Sequence, residues 1–164
     1  MRTHDSVTIH YLAEYPHYAD ELAGFSYAEW PATYELRGES LSDVVRSYRE
    51  RARIDSLPLA LVALASGVLI GTVSLKHHDL EILPGLTPWL GGLFVVPEWR
   101  KRGVASQLMQ RAINEARRLD LERLFLWTSS AEALYLRLGW RSVERIDYGG
   151  KQIVVMRIDP RNAD

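Results

Sequence analysis

Three consecutive cations, Arg100, Lys101 and Arg102, are followed at once by Gly103, and Ala105 is the next small residue. If a helix begins here, its first N–H groups have no partner inside the helix, and its dipole adds a partial positive charge. Glycine carries no Cβ to keep a ligand away from the backbone. The combination therefore predicts an anion site, and a phosphate or pyrophosphate suits it.

The cations lie between a predicted strand and a predicted helix. The strand is the apolar, β-rich run Leu93–Val96, which Pro97 ends because proline cannot donate to a sheet ladder. After Gly103, apolar residues recur with a period of about 3.6 residues, which is typical of one helix face. They are Val104, Leu108, Met109, Ala112, Ile113, Ala116 and Leu119. A helix is predicted over residues 102–119.

The two commonest phosphate-binding motifs do not describe this segment. The chain contains neither a Walker loop nor a Gly-x-Gly-x-x-Gly fingerprint after its first strand. The segment instead resembles the coenzyme A signature of the GNAT superfamily of N-acetyltransferases, Arg/Gln-x-x-Gly-x-Gly/Ala. Arg100, Gly103 and Ala105 match that signature. The alternative is a solvated basic turn that caps a helix.

A second segment, Ala133–Trp140, resembles a GNAT pattern that ends Tyr-x-x-x-Gly-Phe, and Tyr135 takes the position of its tyrosine. The resemblance implies that this hydroxyl lies beside the coenzyme A sulfur and protonates the departing thiolate. A phenol, with a pKa of about 10, is a reasonable donor to that leaving group. A partly buried aromatic residue on a short helix is the alternative.

The resemblance also implies a site for the coenzyme. The backbone of Leu93, Phe94 and Val95 is expected to line the pantetheine, and one of these N–H groups is expected to polarise the thioester carbonyl. The side chains of Arg100 and Arg102 are expected to face the 3′-phosphoadenosine or solvent. The pyrophosphate is expected on the loop and helix N–H groups of Lys101, Arg102, Gly103, Val104, Ala105 and Ser106.

Two departures from the family pattern affect the predicted site. Many members carry an asparagine that supports the coenzyme where this chain has Thr128, so Ser129 or Ser130 is expected to do that work. Some members carry a catalytic glutamate on the fifth strand, where this chain offers Trp127. The general base therefore cannot be taken from those relatives.

A base, or a water path to one, is still needed because an attacking amine must be neutral. Asp79 is the leading candidate, and an ordinary turn residue is its alternative. His77 and His78 have a suitable pKa range, but neighbours on a strand point to opposite faces, so at most one serves. Without a nearby carboxylate cluster they make a poor metal site, and no metal is predicted.

Three aromatic residues, Trp30, Trp89 and Tyr148, are candidates for the wall of the acceptor site. Such a wall would suit an amine or aminoacyl group. Core packing explains each of these residues equally well.

Bulk composition fits one ordinary globular domain over residues 1–164. Hydrophobic residues make up 47% of the chain and charged residues 25%, and the net charge of −1 argues against binding of nucleic acid. The absence of cysteine excludes disulfides and a thiolate nucleophile. The apolar segment 57–73 is interrupted by Ser66-Gly67, so it is interpreted as a hairpin and not as a membrane span. A cytoplasmic location is expected.

The fold class predicted is α+β, with α and β elements mixed. Helices are predicted over residues 15–30 (ended by Pro31), 40–52, 102–119 and 131–138. The second helix is predicted to carry Leu41, Val44, Val45, Tyr48 and Ala52 inward, whereas Arg46, Arg49, Arg51 and Arg53 form its solvated face. Strands are predicted over residues 6–12, 58–65, 68–76, 89–96, 124–127, 140–147 and 152–158. The GNAT resemblance implies a mostly antiparallel seven-stranded sheet, splayed between strands 4 and 5 and flanked by about four helices.

The leading functional hypothesis is an acetyl-CoA-dependent N-acetyltransferase whose acceptor amine attacks the thioester directly. The acceptor is a small-molecule or peptide amine, and the protein is a monomer or homodimer. The alternative is a module of the same fold that senses acyl-CoA or binds a partner without turnover.

Overall fold

The computed structural model describes residues 6–163. Its centre is a seven-stranded sheet in the order β1-β2-β3-β4-β5-β7-β6. Every neighbouring pair is antiparallel except β4 and β5, which run parallel. The strands are β1 (Val7–Tyr11), β2 (Leu59–Ala65), β3 (Val68–Lys76), β4 (Trp89–Val95), β5 (Leu124–Thr128), β6 (Arg141–Tyr148) and β7 (Lys151–Ile158). All seven predicted strands are present, each within one residue of its predicted ends.

Five α-helices flank the sheet in the described part of the chain. They are α1 (Ala19–Glu29), α2 (Pro31–Arg37), α3 (Leu41–Glu50), α4 (Val104–Arg118) and α5 (Glu132–Arg137). The prediction of four helices missed α2. Pro31 does not end the helical region; it occupies the first position of a new helix, where its missing N–H is no loss.

The helix α3 begins as predicted and buries Val44 and Tyr48, but the orientations of Leu41 and Arg51 differ from the prediction. Asp43 N–H donates to the Ser40 hydroxyl at 3.2 Å, and Ser40 N–H donates to the Asp43 carboxylate at 2.9 Å. Leu41 is 45% exposed and Arg51 only 6%, so both predictions of orientation were wrong. Arg51 follows Tyr48 by three residues, and this spacing places both on one face of the helix.

The apolar segment 57–73 forms the β2–β3 hairpin, as predicted, and all of β2 is buried. Both faces of this strand are covered, because alternate residues contact different helices. Leu59, Leu61 and Ala63 pack with α4, whereas Ala60, Val62 and Leu64 pack with α1 and α3. None of the helices within residues 6–163 has the length and apolar character needed to span a bilayer.

The sheet opens between β4 and β5, as the fold class implied. The two strands share a single register pair, Trp89 with Phe125, and Phe125 N–H donates to the Pro88 carbonyl at 3.0 Å. On its other side, β4 pairs with β3 but contains a β-bulge between Gly91 and Phe94. A bulge leaves one residue outside the ladder and bends the strand.

A charged cluster fastens α4 to the first strand. The Glu115 carboxylate is buried and accepts hydrogen bonds from Tyr11 at 2.7 Å, Arg111 at 3.1 Å and Arg118 at 2.7 Å. Burial raises the pKa of Glu115, but hydrogen bonds from Tyr11, Arg118 and Arg111 outweigh it and lower the pKa below its ordinary value. The folded protein therefore favours the charged carboxylate.

Glu115→Gln is expected to lower the free energy of unfolding by about 1–3 kcal/mol at pH 7, because it removes charge-assisted hydrogen bonds. The carboxylate's contribution is complete above its unfolded pKa of 4.5 and is lost as the pH falls toward the lower folded value. Denaturant unfolding at several pH values should show this acid-dependent loss in the wild type and a smaller one in the variant. Exposed Glu122→Gln is the matched control, and equal effects of the two substitutions would contradict the assignment.

Candidate active site

The opening between β4 and β5 leads into a cleft of about 970 Å³. Its walls come from α2 and α3, the end of β3 with the loop after it, the β5–α5 connection and the β6–β7 turn. Residues far apart in sequence therefore meet around one space.

Tyr135 on α5 lines this cleft. Burial raises the pKa of its phenol above the ordinary value, so the hydroxyl is protonated at neutral pH. The ring packs edge-on against Trp140, with centroids 6.3 Å apart. Among residues 6–163 the hydroxyl has no hydrogen-bond partner, which leaves it free to donate to a bound molecule.

The connection before α5 is held by Thr128. Its hydroxyl accepts the N–H of Ser130 at 3.3 Å and of Ala131 at 3.0 Å. Thr128, Ser129 and Ser130 all line the cleft.

The residues predicted to bind pantetheine lie at and after the β4 bulge. Leu93 lines the cleft, while Phe94 and Val95 are mostly buried. The Phe94 ring stacks on Phe25 at 5.3 Å, which holds this part of β4 against α1. The side chains of Phe94 and Val95 therefore pack in the core, and the bulge exposes backbone groups to the cleft.

The predicted anion site is an open helix N-terminus. Lys101 and Gly103 adopt left-handed φ values of 62° and 83°, and a Cβ built on Gly103 meets nothing within 4 Å. Lys101, Arg102, Ala105 and Ser106 are exposed, whereas Val104 is buried and anchors the helix.

The two arginines of this loop pack onto the protein. The Arg100 guanidinium donates to the Val95 carbonyl at 2.9 Å and lies 3.7 Å from the Glu29 carboxylate. The Arg102 guanidinium lies 4.9 Å above the Trp99 ring. Both arrangements leave the backbone N–H groups at the start of α4 open to a ligand.

Asp79 lies in the cleft against β4. Its carboxylate is ion-paired with Lys76 and accepts the indole N–H of Trp127 at 3.0 Å. A Cβ on Gly91 would lie 2.8 Å from Asp79 Oδ2, so only glycine allows this approach. His77 and His78 are exposed at the border of the cleft.

A second polar group closes the cleft near Tyr148. The Tyr148 hydroxyl donates to Glu81 at 2.6 Å and accepts from Arg37 Nε at 3.1 Å. Arg37 also donates to the Asp79 carbonyl and lies 3.2 Å from the Glu81 carboxylate. These contacts join α2 to the loop after β3 and to the final hairpin.

Of the three aromatic candidates for the acceptor wall, two line the cleft and one does not. Trp30 and Tyr148 line the cleft. Trp89 does not: it is fully buried, its indole donates to the Leu86 carbonyl at 2.7 Å, and its ring packs on Phe125 at 5.6 Å. The start of β4 is the one point where the two halves of the sheet join, so Trp89 belongs to the core.

Sequence reasoning missed four residues of this site, namely Arg37, Arg51, Lys76 and Gly91. The signal for Arg51 was its helical spacing from Val44 and Tyr48, which put it on the buried face of α3. No local pattern marked the others: Arg37 and Gly91 meet residues of other segments, and nothing in the sequence distinguished the pair of Lys76 with Asp79, three residues on.

A family model described as the acetyltransferase (GNAT) family matches residues 21–140. The chain belongs to that family. The match includes both segments on which the sequence resemblance rests, Arg100–Ala105 and Ala133–Trp140. No curated protein matches the sequence.

Solved structures share the GNAT fold at low identity. An aminoglycoside 6′-N-acetyltransferase complexed with coenzyme A is 15% identical, with a TM-score of 0.70 over 93% of this chain and 97% of that one. Salmonella typhimurium yncA with its cofactor acetyl-CoA is 19% identical, with a TM-score of 0.68 and 94% of each chain covered. A chimera of Vibrio cholerae spermidine N-acetyltransferase SpeG and hSSAT is 20% identical, with a TM-score of 0.66 over 94% and 96%.

Acetyl-CoA is the acetyl donor of GNAT enzymes, and the donor segment of this member has the open helix N-terminus that a pyrophosphate needs. Over residues 6–163, no group of three or more His, Cys, Asp or Glu side chains is placed to hold a metal ion.

Gly91→Ala tests the close approach of Asp79 to β4. The added methyl group would lie 2.8 Å from the carboxylate, so we expect a stability loss of about 1–3 kcal/mol in denaturant unfolding. Gly24→Ala is the control, because its Cβ meets nothing within 4 Å and helix α1 should gain stability. A Gly91→Ala variant as stable as the wild type would show that Asp79 is not fixed there.

Proposed function

We propose that this GNAT protein is an acetyl-CoA-dependent N-acetyltransferase that acts on a primary amine within a ternary complex. The observation that supports this most strongly is the pairing of the β4 bulge with a protonated Tyr135 across one cleft. One side offers backbone groups to a carbonyl oxygen, and the other offers a proton to a leaving group.

The donor would occupy the segment from Leu93 to Ser106. The N–H groups of residues 101–106 and the α4 dipole bind the pyrophosphate, and the Leu93–Val95 backbone follows the pantetheine. The empty space around the Gly103 Cβ position is where the phosphates come close. Ser130 supports the coenzyme from the β5–α5 connection.

The reaction needs one bond made and one bond broken. The amine nitrogen attacks the thioester carbon and forms the C–N bond, while a backbone N–H at the bulge stabilises the developing oxyanion. The C–S bond then breaks, and Tyr135 gives its proton to the coenzyme A thiolate. Asp79 accepts, directly or through water, the proton that the nitrogen loses after it has attacked as a neutral amine, and the protons of Asp79 and Tyr135 are restored by exchange with solvent.

A second candidate is a protein that binds acyl-CoA without turnover. One observation favours it: both carboxylate oxygens of Asp79 already accept hydrogen bonds, from Lys76 and Trp127, which weakens Asp79 as a base. The two candidates differ in whether an amine triggers release of coenzyme A.

Two measurements test the proposed function. Calorimetric titration should show binding of acetyl-CoA and coenzyme A and none of NADH. A thiol assay with a panel of amines should then show coenzyme A released only when an amine is present. Binding without release from any amine would favour the acyl-CoA sensor, and no binding of acetyl-CoA would refute both.

Tyr135→Phe is expected to lower kcat by about 100-fold, because it removes the proton donor to the thiolate. The acetyl-CoA dissociation constant should change little, since the ring and its packing on Trp140 remain. Steady-state kinetics and calorimetry separate the two effects. Tyr15→Phe, before α1 and outside the lining of the cleft, is the control, and unchanged turnover in Tyr135→Phe would refute the assignment.

Gly103→Val is expected to weaken acetyl-CoA binding by at least about tenfold, because its side chain occupies the space for the phosphates. Valine is also strained at a φ of 83°, so the matched control is Gly67→Val in the β2–β3 turn. Gly67 has a φ of 75° and the same empty surroundings. Calorimetry should show the binding loss in Gly103→Val alone, while thermal unfolding shows similar destabilisation in both.

A further inference from the structure

Arg51 is a buried cation without a carboxylate partner. Among the described residues, the buried charged side chains are Arg51 and Glu115. Glu115 is paired with two arginines, whereas Arg51 has neutral partners: it donates to Ser74 at 3.0 Å and to Ser47 at 2.8 Å. Burying an uncompensated charge is costly, so a protein that keeps one has a use for it.

The surroundings of Arg51 give only partial compensation. Its guanidinium lies 4.1 Å above the Tyr48 ring, and its backbone ends α3, whose C-terminal dipole is weakly negative. Nearby Tyr34 supplies no anion, because burial raises the pKa of its phenol to about 12. The Arg51 guanidinium therefore keeps a positive charge that no carboxylate of residues 6–163 pairs with.

Two of the other cations of the cleft are paired with acids, and Lys151 lies exposed at the β6–β7 turn. Lys76 is paired with Asp79, and Arg37 is paired with Glu81. Glu35 and Glu39 also line the cleft, at its more exposed border on α2 and beyond. None of these acids forms an ion pair with Arg51.

Arg51 also lies beside the reacting position. A Cβ built on Gly92, within the β4 bulge, would be 3.8 Å from Arg51 Nη1 and 3.4 Å from the Tyr48 hydroxyl. Two of the five guanidinium N–H groups are used by Ser47 and Ser74, and the rest have no acceptor among residues 6–163. A planar fork with free donors matches a carboxylate.

We propose that the acceptor is a small amine that also carries a carboxylate, of the amino-acid type, and that Arg51 binds that carboxylate. The proposal rests on the N-acetyltransferase function above. It distinguishes this protein from the similar aminoglycoside and spermidine N-acetyltransferases, which are named for polycationic acceptors. Arg51 would position the amine at the thioester through the carboxylate, and the serines would fix the orientation of its guanidinium.

The test is a panel of matched acceptors assayed by coenzyme A release at saturating acetyl-CoA. Aliphatic, aromatic and acidic L-amino acids are each compared with their amides and with their decarboxylated amines, alongside spermidine and an aminoglycoside. We expect the best amino acid to exceed its amide in kcat/KM by about 100-fold. The amide has the less basic amine, so amine protonation alone would give the opposite preference.

Arg51→Gln should then remove that preference. We expect kcat/KM for the amino acid to fall by about 100-fold, mainly through KM, with the amide and the acetyl-CoA dissociation constant unchanged. Arg51→Lys keeps the positive charge but lacks the planar pair of N–H donors. Its kcat/KM for the amino acid should therefore lie between those of the wild type and Arg51→Gln. Equal losses for amino acid and amide would show that Arg51 only holds α3 against β4, and would overturn the proposal.

The wild-type panel decides the question even where a variant fails to fold. The proposal of a carboxylate-bearing acceptor is refuted if amides, decarboxylated amines or polycations give a kcat/KM for coenzyme A release as high as amino acids do. That result would leave the N-acetyltransferase function intact. Release with none of the amines would refute both.

Discussion

The constraint on which this protein depends is the single register pair between β4 and β5. Parallel neighbours normally share a ladder along their length, and strands that part leave backbone groups without partners. Here each strand is held from its other side, β4 by β3 and β5 by β7. The gap is therefore bounded by two ordered half-sheets, and Trp89 and Phe125 close it at one end. A preformed cleft results, with backbone groups available along its edge.

The sequence predicted features whose cause is local. The period of α4, the Ser40 cap, the β2–β3 turn and the Arg100–Ala105 motif each depend on neighbouring residues, and the structure has them in place. Pro31 was misinterpreted because proline both ends and begins helices, and the residues after it decide between the two. Trp89 was misplaced because the segments that bury a side chain are not its sequence neighbours, whereas Arg51 was assigned by its charge although its helical spacing from Tyr48 indicated burial. A fully covered tryptophan and a cleft-lining one have the same local pattern.

Charge in the cleft is arranged in layers. Asp79 sits against β4 with Lys76 and Trp127 as donors, and the Arg37, Glu81 and Tyr148 group lies around it. In both groups the charged side chains are paired with one another, so they line the cleft without needing a charged ligand as a partner. Arg51 lies beside Gly92 of the bulge, and within residues 6–163 its guanidinium contacts two serine hydroxyls and the Tyr48 ring but no carboxylate. The same physical rule, that buried charges need partners, thus distinguishes the residues that form the wall of the cleft from the one that we propose binds the acceptor.

The donor and acceptor sides of the cleft are encoded differently. Most of the groups expected to touch the donor come from one continuous segment, Leu93–Ser106, in which strand, loop and helix succeed one another without interruption. The acceptor wall is assembled from α2, α3, the loop after β3 and the last hairpin, joined by side chains such as Arg37. Mutational drift in those scattered segments can therefore reshape what the enzyme accepts while the donor segment stays untouched. The donor-binding segment and the acceptor-binding wall can therefore change independently of each other.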